Sequence, residues 1–245
     1  MAAEKWKDNQ MKECGKETIL RTEGDAWFER NKEVIEQNGI HENVTAGCKL
    51  FCDILQNYSK YMDRGIRVLE IGCSFGYNLI YMDKKYSGEY LGLEPSAKAV
   101  EYGNYLADLY HANVSLVRGT ADELPFEDSS FDIVMLGFCV YNFDRRLVYK
   151  TISEVDRVLK VNGLAAIWDF DTKIPFWREN AHNEYLPTYK FDISRLFYDN
   201  PQYSLIEKRS FSHFGETFCA DMQERCALNV LYKEKIETGY IFCKD

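Results

Sequence analysis

The sequence has no excess of positive charge, no long apolar run, no paired-cysteine motif and no standard phosphate-binding glycine signature. With 30 Lys and Arg against 39 Asp and Glu, the formal net charge is -9. A cationic face that follows a phosphate backbone is therefore not expected, which argues against DNA or RNA as partner. A local basic pocket for one anion stays open. No stretch reaches the roughly 18 apolar residues of a membrane span, and the first residues, with Lys5, Lys7 and Asp8, lack an apolar leader. The expectation is a cytoplasmic protein without membrane contact, monomeric or homodimeric. The 8 cysteines, at 14, 48, 52, 73, 139, 219, 226 and 243, include no C-x-x-C pair and suit reduced, buried thiols. Cys48 and Cys52 share a helical face but have no matching second pair, so no metal site is expected.

What is present points to one α/β domain, or two small ones. Hydrophobic residues make up 46% and charged residues 28% of the 245-residue chain, enough for a sizeable core. The stretch Ile66–Asn78 organises the rest. Val68, Leu69 and Ile71 form a short apolar run that suits a strand buried on both faces. Gly72 and Gly76 follow, with Cys73 and Ser74 between, and a helical pattern begins at Tyr77. Strand, glycine turn and helix is the layout of a nucleotide site in an open sheet. The spacing is Gly-x-x-x-Gly, so it is not the dinucleotide fingerprint, and no Lys-Ser or Lys-Thr follows Gly76 to make a phosphate loop. A second strand, Glu89 to Leu93, ends in Glu94-Pro95-Ser96. A carboxylate there can accept from two ribose hydroxyls or cap the following helix, with Ser96 as the alternative cap.

Four segments in order resemble the class I S-adenosylmethionine-dependent methyltransferases, most nearly the small-molecule branch called type 11. They are Val68–Gly76 (with Ser74 where a middle glycine is usual), Glu94, Ala121-Asp122-Glu123-Leu124-Pro125-Phe126, and the strand–helix–strand block Phe131 to Phe170. The resemblance implies an α/β fold: a Rossmann-like, seven-stranded, mostly parallel sheet with helices on both faces and a C-terminal antiparallel hairpin, from Ser204–Ser212 and Ala227–Tyr232. Residues 1–60 are expected to form an N-terminal helical arm or lid. Residues 61–245 would form the methyltransferase domain, with a substrate-cap insertion at about 172–202. The cofactor implied is S-adenosylmethionine, leaving as S-adenosylhomocysteine. Its implied contacts are Glu70, Gly72, Cys73 and Gly76 after the first strand, Glu94 and Pro95 at the ribose, Ala121 and Asp122 at adenine, and Gly137 and Phe138 beyond the fourth strand.

The implied reaction moves a methyl group to an O or N of a small molecule. The run at 24–31 also resembles methyltransferases of bacterial surface-sugar pathways, which adds a sugar or nucleotide-linked sugar as acceptor. Trp27, Arg30, Asn31, Tyr141, Trp177 and Tyr185 are candidate lid or substrate residues, since they combine stacking with hydrogen bonding. Tyr141, His182 and His213 are candidate catalytic groups, and His41 and His111 complete the histidines. Asp25 is expected to cap a helix running from Ala26 toward Gln37, with Gly39 as its stop. A helix at 147–159 should end at Gly163. The alternatives are a non-catalytic methyltransferase-like partner subunit and a nicotinamide-dependent reductase.

Overall fold

The computed structural model describes residues 16–58, 65–180 and 182–235. Lys5, Lys7, Asp8, Cys14 and Cys243, named above, lie outside the described residues. The described residues open with helices α1 (Lys16–Thr22), α2 (Gly24–Gln37), α3 (Ile40–Asn43) and α4 (Ala46–Leu55). Thr45 caps α4, its hydroxyl accepting from the Cys48 N–H. Asp25 does not cap α2: the cap position is Glu23, and Asp25 sits inside the first turn. Gly39 likewise opens α3 instead of only stopping α2, whose end is capped by Asn38.

The sheet follows. β1 (Ile66–Ile71) leads through a glycine turn to α5 (Tyr77–Asp83), then β2 (Gly88–Glu94), α6 (Ala97–Leu109) and β3 (Val114–Arg118). Next come β4 (Phe131–Gly137), α7 (Arg145–Val158) and β5 (Leu159–Phe170). The hairpin β6 (Phe176–Arg178) and β7 (Thr188–Lys190) and the short α8 (Arg195–Tyr198) precede β8 (Tyr203–Ser212) and β9 (Arg225–Lys233). The seven-stranded order is β3-β2-β1-β4-β5-β9-β8. β3 through β5 run parallel, and β9 enters antiparallel between β5 and β8. The expected architecture is therefore observed.

The pleat's period of two sorts side chains into two cores. Val68, Ile133, Met135 and Trp168 face one core, which α4, α5 and α6 cover with Phe51, Leu79 and Leu106. Leu69, Ile71, Val134, Leu136 and Ile167 face the other, closed by Val148 and Val155 of α7 and Phe197 of α8. The seam between α7 and β5 differs from expectation. The helix ends at Val158 and β5 starts at once, so Gly163 lies inside the strand. Asn162 takes the left-handed turn with φ 65, where the pairing of β4 with β5 shifts register. The 172–202 segment folds as the separate β6–β7 sheet plus α8. Among the described residues no helix is long and apolar enough to cross a membrane.

Candidate functional site

Strand order reverses beside β1, between β2 and β4, the place where open α/β sheets leave a crevice at the carboxyl ends of their strands. A cavity of about 560 Å3 lies there, within the range of ligand sites. Its floor is the turn after β1. Gly72, Ser74 and Gly76 all adopt positive φ, at 73, 52 and 74. Ser74 thus takes the left-handed conformation at the position where the resemblance expects glycine. A Cβ on Gly72 would come within 2.6 Å of the Cys139 Cβ, so this glycine lets the β4 loop close over the turn.

Two acids define the crevice. Glu94, at the end of β2, accepts from the Ser74 N–H at 3.0 Å and the Ser96 N–H at 3.1 Å, one on each oxygen. Each oxygen keeps a lone pair for a further donor. Ser96 is the α6 cap, its hydroxyl accepting from the Ala99 N–H at 3.1 Å. Both readings of the Glu94-Pro95-Ser96 segment are therefore compatible. Glu70 is buried in β1, where Asn78 Nδ2 donates to its Oε1 at 2.6 Å. Its Oε2 has no partner, nor has the buried Ser74 Oγ. Burial pushes the Glu70 carboxyl up to about 8, against the opposing Asn78 bond, and burial pushes Glu94 up to about 7.

Gly119, Thr120 and Ala121 form the far wall. Arg157 of α7 holds this segment in place by donating to the carbonyls of Phe126 at 2.7 Å and Leu124 at 3.0 Å. Glu154 accepts the Leu124 N–H at 2.7 Å. Asp122 is not among the lining residues. Its carboxylate turns to Lys16 of α1, with Nζ at 3.3 Å from Oδ1. Burial pushes the Asp122 carboxyl up, but the Thr120 hydroxyl and the Lys16 ammonium outweigh it and hold the carboxyl below its usual range.

The near wall comes from the loop after β4 and from the arm. Gly137, Phe138, Tyr141, Asn142 and His213 line it, with Trp27 and Asn31 of α2 opposite. Gly137 serves packing as well: a Cβ there would meet Trp168 Nε1 at 2.1 Å. Burial raises the Tyr141 hydroxyl well above its usual range. Burial lowers the His213 imidazole, whose ring stacks on Phe170 at 5.4 Å and meets Phe138 edge-on at 5.2 Å. The structure does not bring every candidate here. Arg30 pairs with Glu23 and does not line the cavity. Trp177 and Tyr185 are half-exposed, the latter under the Arg21 guanidinium at 5.4 Å. The His182 N–H is bonded to Asn180 Oδ1 at 3.0 Å, and no described residue of 172–202 lines the cavity. His41 packs edge-on against Tyr81, and His111 closes α6 with φ 51.

Sequence reasoning passed over Asn78. Its Oδ1 accepts from the Thr45 N–H at 3.0 Å while its Nδ2 donates to Glu70, so one amide joins the arm's last helix to the floor acid. An amide just inside the helix after the glycine turn, on a face meant to be buried, was the available signal.

Residues 68–163 match the family described as "Methyltransferase domain". Over these 96 of its 245 residues the chain is similar to methyltransferases. The matched segment begins in β1 and ends in β5, so it contains the turn, Glu94 and the Ala121 wall. Demethylmenaquinone methyltransferase of Staphylococcus aureus strain MRSA252 is 38% identical over 103 residues, 41% of this chain and 42% of that protein. The chain thus covers less than half of that relative's length. Two solved structures share the fold. A SAM-dependent methyltransferase from Methanosarcina mazei superposes with TM-score 0.58 at 18% identity, covering 72% of this chain and 96% of that one. A putative sarcosine dimethylglycine methyltransferase from Galdieria sulphuraria superposes with TM-score 0.59 at 14% identity, covering 76% and 85%.

Proposed function

We propose that the protein transfers a methyl group from S-adenosylmethionine to an oxygen or nitrogen of a small molecule. The observation that carries this reading is Glu94, held by two backbone N–H groups at the rim of the switch-point crevice, with lone pairs left for a diol. The residues present fit a cationic nucleoside. Glu94 would take the ribose hydroxyls, the Ala121 wall the adenine, and the unpartnered Glu70 Oε2 a cationic or hydrogen-donating part of the methionine end. Asp122 would act at one remove, by holding Lys16 and hence α1 against the adenine wall.

When bound, the cofactor supplies an already activated methyl group, so the chain's work is alignment, exclusion of water and proton removal. Trp27 and Asn31 close the cavity from the arm. Asn31 is fixed by its own Nδ2 bond to the Trp27 carbonyl at 2.7 Å. His213, kept neutral near pH 7 by its aromatic surroundings, is the group to take a proton from the acceptor. Calorimetry with S-adenosylmethionine and with NADH tests the reading. Binding of the former at one site is expected, and NADH binding in its place would overturn the proposal. Release of S-adenosylhomocysteine in the presence of an acceptor separates a working enzyme from a silent partner subunit.

A further inference from the structure

We infer that the methyl acceptor is an uncharged planar ring bearing a hydroxyl, gripped by the neighbouring side chains Tyr141 and Asn142. This rests on the methyl-transfer reading above. Both residues lie on the short 3-10 turn Val140–Asn142 that follows β4, and both line the cavity. Asn142 is only 9% exposed, yet its Oδ1 has no hydrogen-bond partner. Tyr141, its neighbour in the same lining, carries a hydroxyl that can donate. The turn therefore presents one donor and one acceptor side by side, next to the rings of Phe138, Trp27 and His213. A hydroxyl satisfies both at once, giving its proton's bond to Asn142 and accepting from Tyr141. An apolar group would leave both orphaned.

The walls favour a flat guest. Trp27 stands on one side; on the other, His213 lies nearly parallel to Phe170 at 25°, with Phe138 and Tyr141 edge-on to the same ring. The charge distribution disfavours phosphate. Among the described lining residues Lys16 is the one lysine or arginine, and it is engaged by Asp122 and Glu123. A nucleotide-linked sugar would find no free cation for its phosphates among the described lining residues. In the transfer itself the acceptor hydroxyl swings its proton from the Asn142 oxygen to the His213 imidazole, which takes it. The new C–O bond forms as the S–CH3 bond breaks, and that bonding pair stays on sulfur. The products are a methyl ether, S-adenosylhomocysteine and an imidazolium that returns its proton to water.

The test is calorimetry on the full chain, first with S-adenosylhomocysteine and then, at saturation, with 2-naphthol, naphthalene and 2-naphthyl phosphate. We expect 2-naphthol to bind at one site, and naphthalene and the phosphate ester to bind about tenfold more weakly or worse, a difference of about 1.4 kcal/mol. Tyr141→Phe and Asn142→Leu should each weaken 2-naphthol about fivefold or more while leaving the S-adenosylhomocysteine constant within about twofold. Equal or tighter binding of the ester or of naphthalene overturns the inference. So does absence of 2-naphthol binding to the saturated protein, or indifference of both variants. Failure of S-adenosylhomocysteine to bind at all is a different result, and it removes the methyl-transfer reading together with this one.

Discussion

Asp25, in the first turn of α2, accepts a 2.6 Å hydrogen bond from the hydroxyl of Ser96, the cap of α6. It also accepts from the Lys98 N–H at 3.3 Å. An acid from the arm therefore sits at the start of the helix that follows Glu94 and Pro95, where the helix dipole favours negative charge. The Ser96 bond, with help from Lys98, holds the Asp25 carboxyl below its usual range. Its stabilisation is thus present above the ordinary carboxylate pKa and is lost only as pH falls through the depressed value.

The arm's attachment follows from that latch. Asp25→Ala should lower stability by about 1 kcal/mol and Ser96→Ala by somewhat more, since Ser96 also caps α6. Urea unfolding of the two single variants and the double should give a coupling energy of about 0.5–1 kcal/mol. Strict additivity would mean that the arm is held by packing alone, through Trp27 and Phe28 on Phe75.

Glu94 combines two duties, and they separate by measurement. Glu94→Ala should weaken S-adenosylhomocysteine by about 1–3 kcal/mol and also destabilise the fold, because the Ser74 and Ser96 N–H groups lose their acceptor. Glu94→Gln keeps one oxygen and should fall between. If the binding constant stays at the wild-type value in a folded Glu94→Ala protein, the ribose assignment fails.

Gly72 is constrained twice, by its φ of 73 and by the Cys139 Cβ at 2.6 Å from where its own Cβ would stand. Gly72→Ala should cost about 1–2 kcal/mol for the left-handed backbone alone, and more from the collision. Adding Cys139→Gly should recover the steric part but not the backbone part. A partial rescue in thermal unfolding is the expected pattern; full recovery or none would contradict this account of the turn.

Buried acids set a pH dependence of opposite sign to that of Asp25. Burial raises Glu70 to about 8, Glu94 to about 7 and Asp169 to about 7. Each binds more protons folded than unfolded between its ordinary pKa and the raised value, so stability should fall as pH rises from about 5 to about 8. Glu70→Gln, which keeps an oxygen for Asn78, should flatten the upper part of that slope. A cationic ligand favours the ionised acids, so S-adenosylmethionine affinity should rise over the same interval. Unfolding midpoints and titrations across that range check both signs, and a stability that climbs with pH would refute the burial argument.

Much of the site was legible in the chain because the signals are local. A β-branched run, two glycines spaced for a turn, an acid closing the next strand and the Ala121–Phe126 segment each declare themselves within a few residues. The arm was half legible: Trp27 and Asn31 reach the cavity, but Arg30, one residue between them, points to Glu23 because helical geometry puts adjacent residues on different faces. The aromatic richness of 172–202 suggested substrate contact. Yet Trp177 and Tyr185 belong to a small separate layer, and composition does not say which way a loop folds.

By itself, then, the sequence determined the alternation that builds two cores on one sheet, the bend after β1 and the acid that follows it, since strand period, φ preference and chain order are properties of short segments. Only the tertiary structure decided that Asn78 ties Thr45 to Glu70, that Lys16 claims Asp122, that Cys139 occupies the space above Gly72, and that Asn142 is left with an unmet oxygen facing a ring-lined chamber. Those relationships join residues far apart in the chain. They depend on which side chains the packed sheet and helices bring within a few ångströms of one another, which no local pattern encodes.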